Sequence, residues 1–287
     1  MRPLLVLGAT GFLGRQVTAR ARSGPVEVVT ASRREGAADL RVRPGELAAT
    51  LRAVGPSAVL NCAGAVAGSP ATLVEGNVLA VAELLAAVRA HPCRLVHLGS
   101  AAEYGVVPSG VPVTEDAEPH PVGAYGVTKL AGTSLVLGRP DTVVLRVFNP
   151  IGPGSPPSSL LGRIRAQLAP AGAGPPERRV IRVGALGAVR DFVDSRDVAE
   201  AVLAAAASAT GGVLNVGSGR ATLTRDLVDE LVGLVPGAEL LEEDGGSERS
   251  GGVPWQQADI SAIDRALGWR PVLGLSASLK DLLEDTC

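Results

Sequence analysis

Short apolar blocks alternate along this chain with stretches in which apolar residues recur at helical intervals. Leu4-Leu5-Val6-Leu7 is a compact run that stops at a glycine, and Phe12 to Arg22 has helical spacing, so the opening reads strand, tight turn, helix. The pattern predicts further strands at Val26 to Ala31, Ala58 to Leu60, Arg94 to Leu98 and Thr142 to Val147, with helices at Asn77 to Ala90 and Tyr125 to Leu137. Strands alternating with helices at this spacing imply a parallel sheet covered on both faces. The strands are near-continuous Val and Leu, as a doubly covered sheet requires.

After Asn149 the rhythm breaks at Pro150, Pro153, Pro156 and Pro157, and later at Pro170, Pro175 and Pro176 among glycines. Asp191-Phe192-Val193, a helix from Asp197 to Ala207 and a strand from Gly212 to Val216 then read as a return to the sheet, before a helix at Thr224 to Leu234 and a C-terminal tail. The expected division is a nucleotide-binding domain over residues 1–148 with a return segment at about 188–217, and a smaller substrate-binding lobe from 149–187 and 218–287.

Composition narrows the function classes. Of 287 residues 46% are apolar, 20% charged and 2% aromatic, with net charge −2, which suits a soluble globular protein and offers neither the basic stripe nor the stacking rings of a nucleic-acid binder. Cys62, Cys93 and Cys287 are widely spaced and form no C-x-x-C pair, so no metal site is expected and a reducing cytoplasmic setting fits. The first apolar run is too short for a signal peptide. Val198 to Ala209, interrupted by Glu200, is shorter than the roughly 20 apolar residues of a membrane span, so no anchor is expected. Against 25 arginines stand only two lysines, Lys129 and Lys280, and two tyrosines, Tyr104 and Tyr125. Their positions therefore carry information.

Gly8-Ala9-Thr10-Gly11-Phe12-Leu13-Gly14 lies at the first strand-to-helix junction, where glycines permit a tight turn, close approach of backbone N–H groups to a pyrophosphate, and packing of the helix on the sheet. This is the turn of a Rossmann-type, doubly wound α/β fold. Where an NAD enzyme places an acid for the ribose 2′-hydroxyl, the second strand ends in Ser32-Arg33-Arg34, whose two guanidinium forks suit a 2′-phosphate. NADP(H) is favoured over NAD(H). Asp39 and Leu40 are candidates for contact with the adenine.

Tyr125 and Lys129 stand one helical turn apart on one face. A free phenol, with pKa about 10, handles protons poorly at neutral pH, and a neighbouring ammonium favours its phenolate. With these residues in view, the chain resembles the extended short-chain dehydrogenase/reductases of the nucleotide-sugar epimerase, dehydratase and reductase group, over nearly its whole length. Gly8 to Gly14 matches the family's cofactor turn, Asn61-Cys62-Ala63-Gly64 the end of its fourth strand, and Tyr125 with Lys129 its catalytic pair. Gly99-Ser100-Ala101-Ala102-Glu103-Tyr104-Gly105 matches the segment holding the family's catalytic Ser or Thr. The resemblance implies Ser100 as third catalytic member, Ala63 beside the cofactor, Lys129 on the nicotinamide ribose, and Asn149, Arg190 and Arg249 toward a substrate diphosphate. It also implies a homodimer through the helices 77–90 and 125–137.

The family's 4,6-dehydratases carry two acidic groups in the two residues after that serine, where this chain has Ala101 and Ala102, which move no protons. The family's epimerase-reductases that make GDP-fucose place a Cys two residues after the serine and a His in the lobe that follows, where this chain has Ala102 and no histidine beyond His120, so the resemblance does not extend to a 3,5-epimerase step. What remains is hydride transfer with one proton. Residues 189–198, 214–220 and 267–271 look most like the GDP-4-keto-6-deoxymannose reductases, so the expected activity is an NADPH-dependent 4-ketoreductase of a dTDP- or GDP-linked 4-keto-6-deoxyhexose in deoxysugar biosynthesis. An NAD-dependent 4-epimerase is the alternative. A non-enzymatic NADP-binding regulator is a third reading, and it predicts damage to a Ser/Tyr/Lys set that is present here.

Overall fold

The computed structural model describes residues 2–32, 38–139, 141–169, 179–243 and 252–285. Strands β1 (Leu4–Leu7), β2 (Val28–Ser32), β3 (Leu40–Arg41), β4 (Ala58–Asn61), β5 (Arg94–Ser100) and β6 (Thr142–Val147) alternate with helices α1 (Phe12–Arg22), α2 (Leu47–Val54), α3 (Pro70–Val74), α4 (Ala80–Ala90) and α5 (Ala124–Leu137). The chain continues through β7 (Asn149–Ile151), α6 (Leu160–Leu168), β8 (Arg179–Val183), β9 (Val189–Arg190), β10 (Phe192–Asp194), α7 (Ser195–Ala207) and β11 (Gly212–Val216). It closes with β12 (Thr222–Leu223), α8 (Thr224–Gly233), β13 (Ala238–Glu242), α9 (Ser261–Leu267) and α10 (Leu275–Glu284).

Seven strands form one parallel sheet in the order β11-β6-β5-β4-β1-β2-β3. The fold is Rossmann-type, doubly wound α/β. Chain order reverses at β1, where Leu7 pairs with Ala31 of β2 on one side and Asn61 of β4 on the other. A crevice outside the carboxyl ends of these strands is where this topology accepts a ligand. Side chains alternate between two apolar layers: Val6, Val143 and Leu145 pack with Val17 of α1 and Val198 and Val202 of α7, while Leu5, Leu7 and Val144 pack with Leu51 of α2, Leu84 and Val88 of α4 and Val136 of α5. Both layers are filled, so the sequence shows no polar alternation along these strands.

Several elements differ from the expected pattern. Residues Leu47–Val54 form α2, which the apolar pattern did not announce, and the tail contains α9 and α10. Ile263 and Trp269 from that tail join the core of the sheet. The helix expected at Asn77 begins instead at Pro70, where Ser69 caps α3, and passes through a π turn at Glu75–Leu79 before α4. This run, Pro70–Ala90, is long and apolar enough to cross a membrane by length and composition. Its inner face, with Val81, Leu84, Ala87 and Val88, is part of the sheet's core.

A third cluster gathers Ile164 of α6, Ile181 of β8, Leu227 and Leu231 of α8, and Leu279 and Leu282 of α10. Asp194 ties it to the sheet. Its buried carboxylate caps α7 by accepting from the Arg196 backbone N–H at 2.8 Å, and it also accepts from the Arg196 guanidinium at 2.8 and 2.9 Å and from the Ser278 hydroxyl of α10 at 2.6 Å. Burial pushes the Asp194 pKa up, but these donors outweigh it and hold the pKa below the ordinary value. Asp194→Ala removes a cap and strands buried donors, so it is expected to cost about 2–4 kcal/mol, read as a lower urea midpoint at unchanged m-value.

Candidate active site

The chain leaves β1 through Gly8 at φ +74°, a left-handed conformation that favours glycine. A Cβ there would lie 2.7 Å from the N and Cα of Ala63, and a Cβ on Gly14 would lie 2.1 Å from the Gly8 carbonyl oxygen. The two glycines thus let α1 sit against the ends of β1 and β4. Among the described residues no side chain caps α1, whose N-cap is the exposed Gly11, so the N–H groups of its first turn, from Phe12 and Leu13 on, are left for a ligand. Thr10 and Ser32 hydroxyls lie 3.1 Å apart, bringing the turn against the end of β2. This cradle fits the pyrophosphate of a dinucleotide.

Arg33, Arg34 and Arg249 lie outside the described residues. Asp39 accepts from the Thr30 N–H and hydroxyl, each at 2.9 Å, and from Arg22 at 2.9 Å. The Thr30 N–H contributes most to holding its pKa below the ordinary value. Leu40 packs at the edge of the α2/α4 layer. The floor of the crevice is polar and buried: Ala63 N–H donates to Asn61 Oδ1 at 3.3 Å, and Asn61 Nδ2 lies 2.9 Å from His97 Nδ1. With the amide donating to Nδ1, the imidazole carries its proton on Nε2.

Tyr125 opens α5 and Lys129 follows one turn later. Lys129 is only 6% exposed, and its Nζ donates to the Leu98 carbonyl at 2.5 Å. Burial lowers its pKa, while the carboxylate of Glu103 opposes that shift. Cys62 is pushed up to about 12 by burial, against the pull of Lys129, so it stays a thiol at neutral pH. Gly126 allows α5 to approach the Ser100 turn, because a Cβ there would lie 2.4 Å from the Ala102 carbonyl oxygen. Ser100 ends β5 and caps the short 3-10 turn Ala101–Glu103. Its Oγ accepts from Ala102 N–H at 3.2 Å, which leaves the hydroxyl proton available to a ligand oxygen.

The other tyrosine is structural. Tyr104 is fully buried, its hydroxyl donates to Asn215 Oδ1 at 2.7 Å, and burial, against the neighbouring Arg146, pushes its pKa to about 12. Of the substrate-side candidates, Asn149 donates through Nδ2 to the Asp191 carbonyl at 2.9 Å, and Arg190, 6% exposed, donates to the carbonyls of Val189 and Val253 at 2.8 and 2.6 Å. Burial lowers the Arg190 pKa. Its neighbour Asp191, fully buried, accepts from the Ser218 N–H and hydroxyl, Gly219 N–H and Ala258 N–H. These bonds draw β9, β11 and the segment after residue 252 to one place, beside Asn149.

Sequence pattern alone did not single out Asn61, Asn77, His97, Glu103, Arg146, Asp191 or Gln256. Asn77 sits buried in the π turn, clamps the Ala65 backbone N–H and carbonyl at 2.9 Å each, and donates to Thr128 Oγ1 at 3.1 Å, joining α5 to the loop after β4. Gln256 donates to the carbonyls of Ala101 and Gly105 at 3.1 and 2.9 Å. A signal for Glu103 was present: Ser-x-x-Glu is the spacing of a capping box.

Residues 4–217 match the model of the NAD dependent epimerase/dehydratase family. The chain is 37% identical to the dTDP-6-deoxy-L-talose 4-dehydrogenase (NAD(P)(+)) of Kitasatospora kifunensis over 96% of this chain and 93% of that protein. It is 30% identical to the GDP-6-deoxy-D-mannose reductase of Pseudomonas aeruginosa over 75% and 74% of the two. Its structure superposes on that of Pseudomonas aeruginosa RMD complexed with NADPH with a TM-score of 0.83 at 26% identity, covering 99% and 98% of the chains.

Burial, reinforced by the Lys129 charge, holds the His97 pKa well below 6.5, so the folded protein resists a proton that the unfolded chain accepts. Its contribution to stability is complete above about pH 6.5 and falls by about 1.4 kcal/mol per pH unit as pH drops from there toward the folded pKa. Urea titrations between pH 7 and 5 are expected to show this slope, and His97→Gln to remove it.

Proposed function

We propose a 4-ketoreductase reaction for this chain, which belongs to the NAD dependent epimerase/dehydratase family. It is an NAD(P)-dependent enzyme of nucleotide-sugar chemistry in deoxysugar pathways. Reduction of a C4 ketone and oxidation of a C4 alcohol share one transition state, so the 4-dehydrogenase name of one relative is compatible with a 4-ketoreductase reading. The observation that carries the reading is the proton inventory around Ser100. The two positions after it are alanines, Ala101 buried, and the polar groups of the family's catalytic set reduce to Ser100, Tyr125 and Lys129. Such a set serves hydride transfer with one proton, in a 4-ketoreductase or a 4-epimerase alike, and lacks the acid and base of a dehydration; the dehydrogenase and reductase names of its relatives favour the net redox reaction.

The Gly8–Gly14 cradle and the uncapped first turn of α1 would hold the pyrophosphate of NADP(H), with Ala63 alongside, Lys129 toward the nicotinamide ribose, and Ser32, Arg33 and Arg34 toward a 2′-phosphate. Bound there, the nicotinamide supplies the hydride for C4. Tyr125 gives its phenolic proton to the oxygen on C4 as charge develops there. Ser100 donates a hydrogen bond to the same oxygen, its own oxygen being fixed by the Ala102 N–H. The buried Lys129 charge favours the phenolate that Tyr125 becomes. Asn149, Arg190 and Arg249 are assigned to the substrate diphosphate. A dTDP-linked 4-keto-6-deoxyhexose is the first substrate to test and a GDP-linked one the second, since the dTDP-named relative matches more of the chain at higher identity.

A homodimer through the helices at 77–90 and 125–137 is part of this proposal, with the run that leads into the first of them. Leu79 and Val74 on one helical run, and Val127 and Leu135 on α5, are exposed apolar residues. Sedimentation at micromolar concentration is expected to give a dimer, and Leu79→Lys with Leu135→Lys a monomer.

Purified protein offered dTDP- and GDP-linked 4-keto-6-deoxyhexoses is expected to oxidise NADPH, seen at 340 nm, whereas a 4-epimerase would convert sugar with no net absorbance change. Tyr125→Phe is expected to lower kcat by about 10²–10⁴-fold while NADPH still binds. Arg33→Asp is expected to weaken NADPH relative to NADH, and an unchanged ratio would refute the assigned cofactor preference.

A further inference from the structure

The turn that carries Ser100 is a capping box of an unusual kind. Ser100 Oγ accepts from Ala102 N–H at 3.2 Å, and in return Glu103 Oε1 accepts from Ser100 N–H at 2.7 Å. Glutamates in such boxes ordinarily lie at a helix surface, in water. Glu103 is 0% exposed, and its second oxygen is held by Arg146 Nε of β6 at 2.9 Å. Arg146 in turn lies 4.4 Å over the Tyr104 ring, and Tyr104 reaches Asn215 of β11 through its hydroxyl. The backbone has made room for this carboxylate: a Cβ on Gly99 would fall 2.7 Å from Glu103 Oε1 and 3.0 Å from Val144 Cγ1.

A capping contact worth having for turn stability alone does not require a charge buried in the core, where it needs a dedicated partner. The arrangement instead determines where one residue sits. Ser100 is gripped at its N–H by Glu103 and at its Oγ by Ala102, so both the backbone position and the rotamer of the hydroxyl are fixed by the same turn. The turn is clamped to β6 by Arg146 and, through Tyr104, to β11. Groups that act on a transition state lose their effect when displaced by a fraction of an ångström, which is what such a clamp prevents.

We propose that Glu103, anchored by Arg146, is a positioning residue that holds the Ser100 hydroxyl in register with the reacting oxygen. The proposal rests on the assignment of Ser100 as the hydrogen-bond donor to that oxygen. It goes beyond that assignment in making activity depend on a carboxylate that touches neither substrate nor cofactor.

Three variants test it. Glu103→Ala is expected to lower kcat by about 30-fold or more with NADPH affinity changed by less than about threefold, and Glu103→Gln, whose amide oxygen can still accept from Ser100 N–H but whose NH2 cannot accept from Arg146, to fall between the Ala protein and the parent. In a Ser100→Ala background the loss of Glu103 is expected to add no more than about twofold, because the residue acts through Ser100. Multiplying losses in the cycle, or equal damage by Ala and Gln, would overturn the proposal. Hydrogen exchange at the Ser100 amide reads the same bond without turnover. It is expected to be slow in the parent and Gln proteins and fast in the Ala protein, and equal rates would also overturn the proposal. If the parent acts on another nucleotide sugar and not on a 4-keto sugar, the reductase reading fails, while the cycle and the exchange rates still decide the role of Glu103.

Discussion

Beneath the carboxyl end of the sheet, charged side chains lie almost out of reach of water, and each has to be answered from within the protein. Lys129 is answered by the Leu98 carbonyl and by the negative charge of Glu103, Glu103 by Arg146 and the Ser100 N–H, and Asp191 by four donors from two loops. Leaving any of them unanswered in a medium of low dielectric would cost several kcal/mol, by the general scale for buried unpaired charges. The geometry of the site follows from this constraint. The ends of β5 and β6, the first turn of α5 and the segment after residue 252 meet where they do because the donors and acceptors for these charges are divided among them.

The same constraint separates what is rigid from what is free to differ. The cofactor cradle depends on backbone proximity, with Gly8 and Gly14 admitting Ala63 and the Gly8 carbonyl at distances that no side chain tolerates. The proton-handling residues depend on buried electrostatics. Asn149 and Arg190 are placed by hydrogen bonds to main-chain carbonyls, and the loops that supply those carbonyls also carry the contacts of Asp191.

Much of this was legible in the chain. The glycine turn sat at the first strand-to-helix junction, and scarcity made Tyr125 and Lys129 stand out, because a residue type used twice seldom recurs at helical spacing without reason. A parallel sheet covered on both faces followed from strands that are apolar throughout, but the order of its strands is seen only in the structure. Other features were hidden for physical reasons. Helix α2 has only eight residues and buries only Leu47 and Leu51, too few to set up a readable helical repeat. Helices α9 and α10 lie between proline- and glycine-bearing segments and draw their stability from packing on distant elements, Ile263 on the sheet and Leu279 and Leu282 on α8. Asn77 read as the first residue of a helix, and only the π turn shows it buried within a longer helical run, clamping a loop. Glu103 and Arg146 lie 43 residues apart, and nothing local in either segment announces that they pair.

The central claim is that this buried arrangement serves hydride delivery to C4 of a nucleotide-linked keto sugar with a single proton from Tyr125. Turnover of dTDP-4-keto-6-deoxyhexose with NADPH deuterated at the transferable position of the nicotinamide, followed by NMR of the product, tests it most directly. The account predicts one deuterium at C4 and none at C3, C5 or C6, in an amount equal to the NADPH consumed. Sugar isomerised without consumption of NADPH, or deuterium absent from C4 of the product, would contradict it.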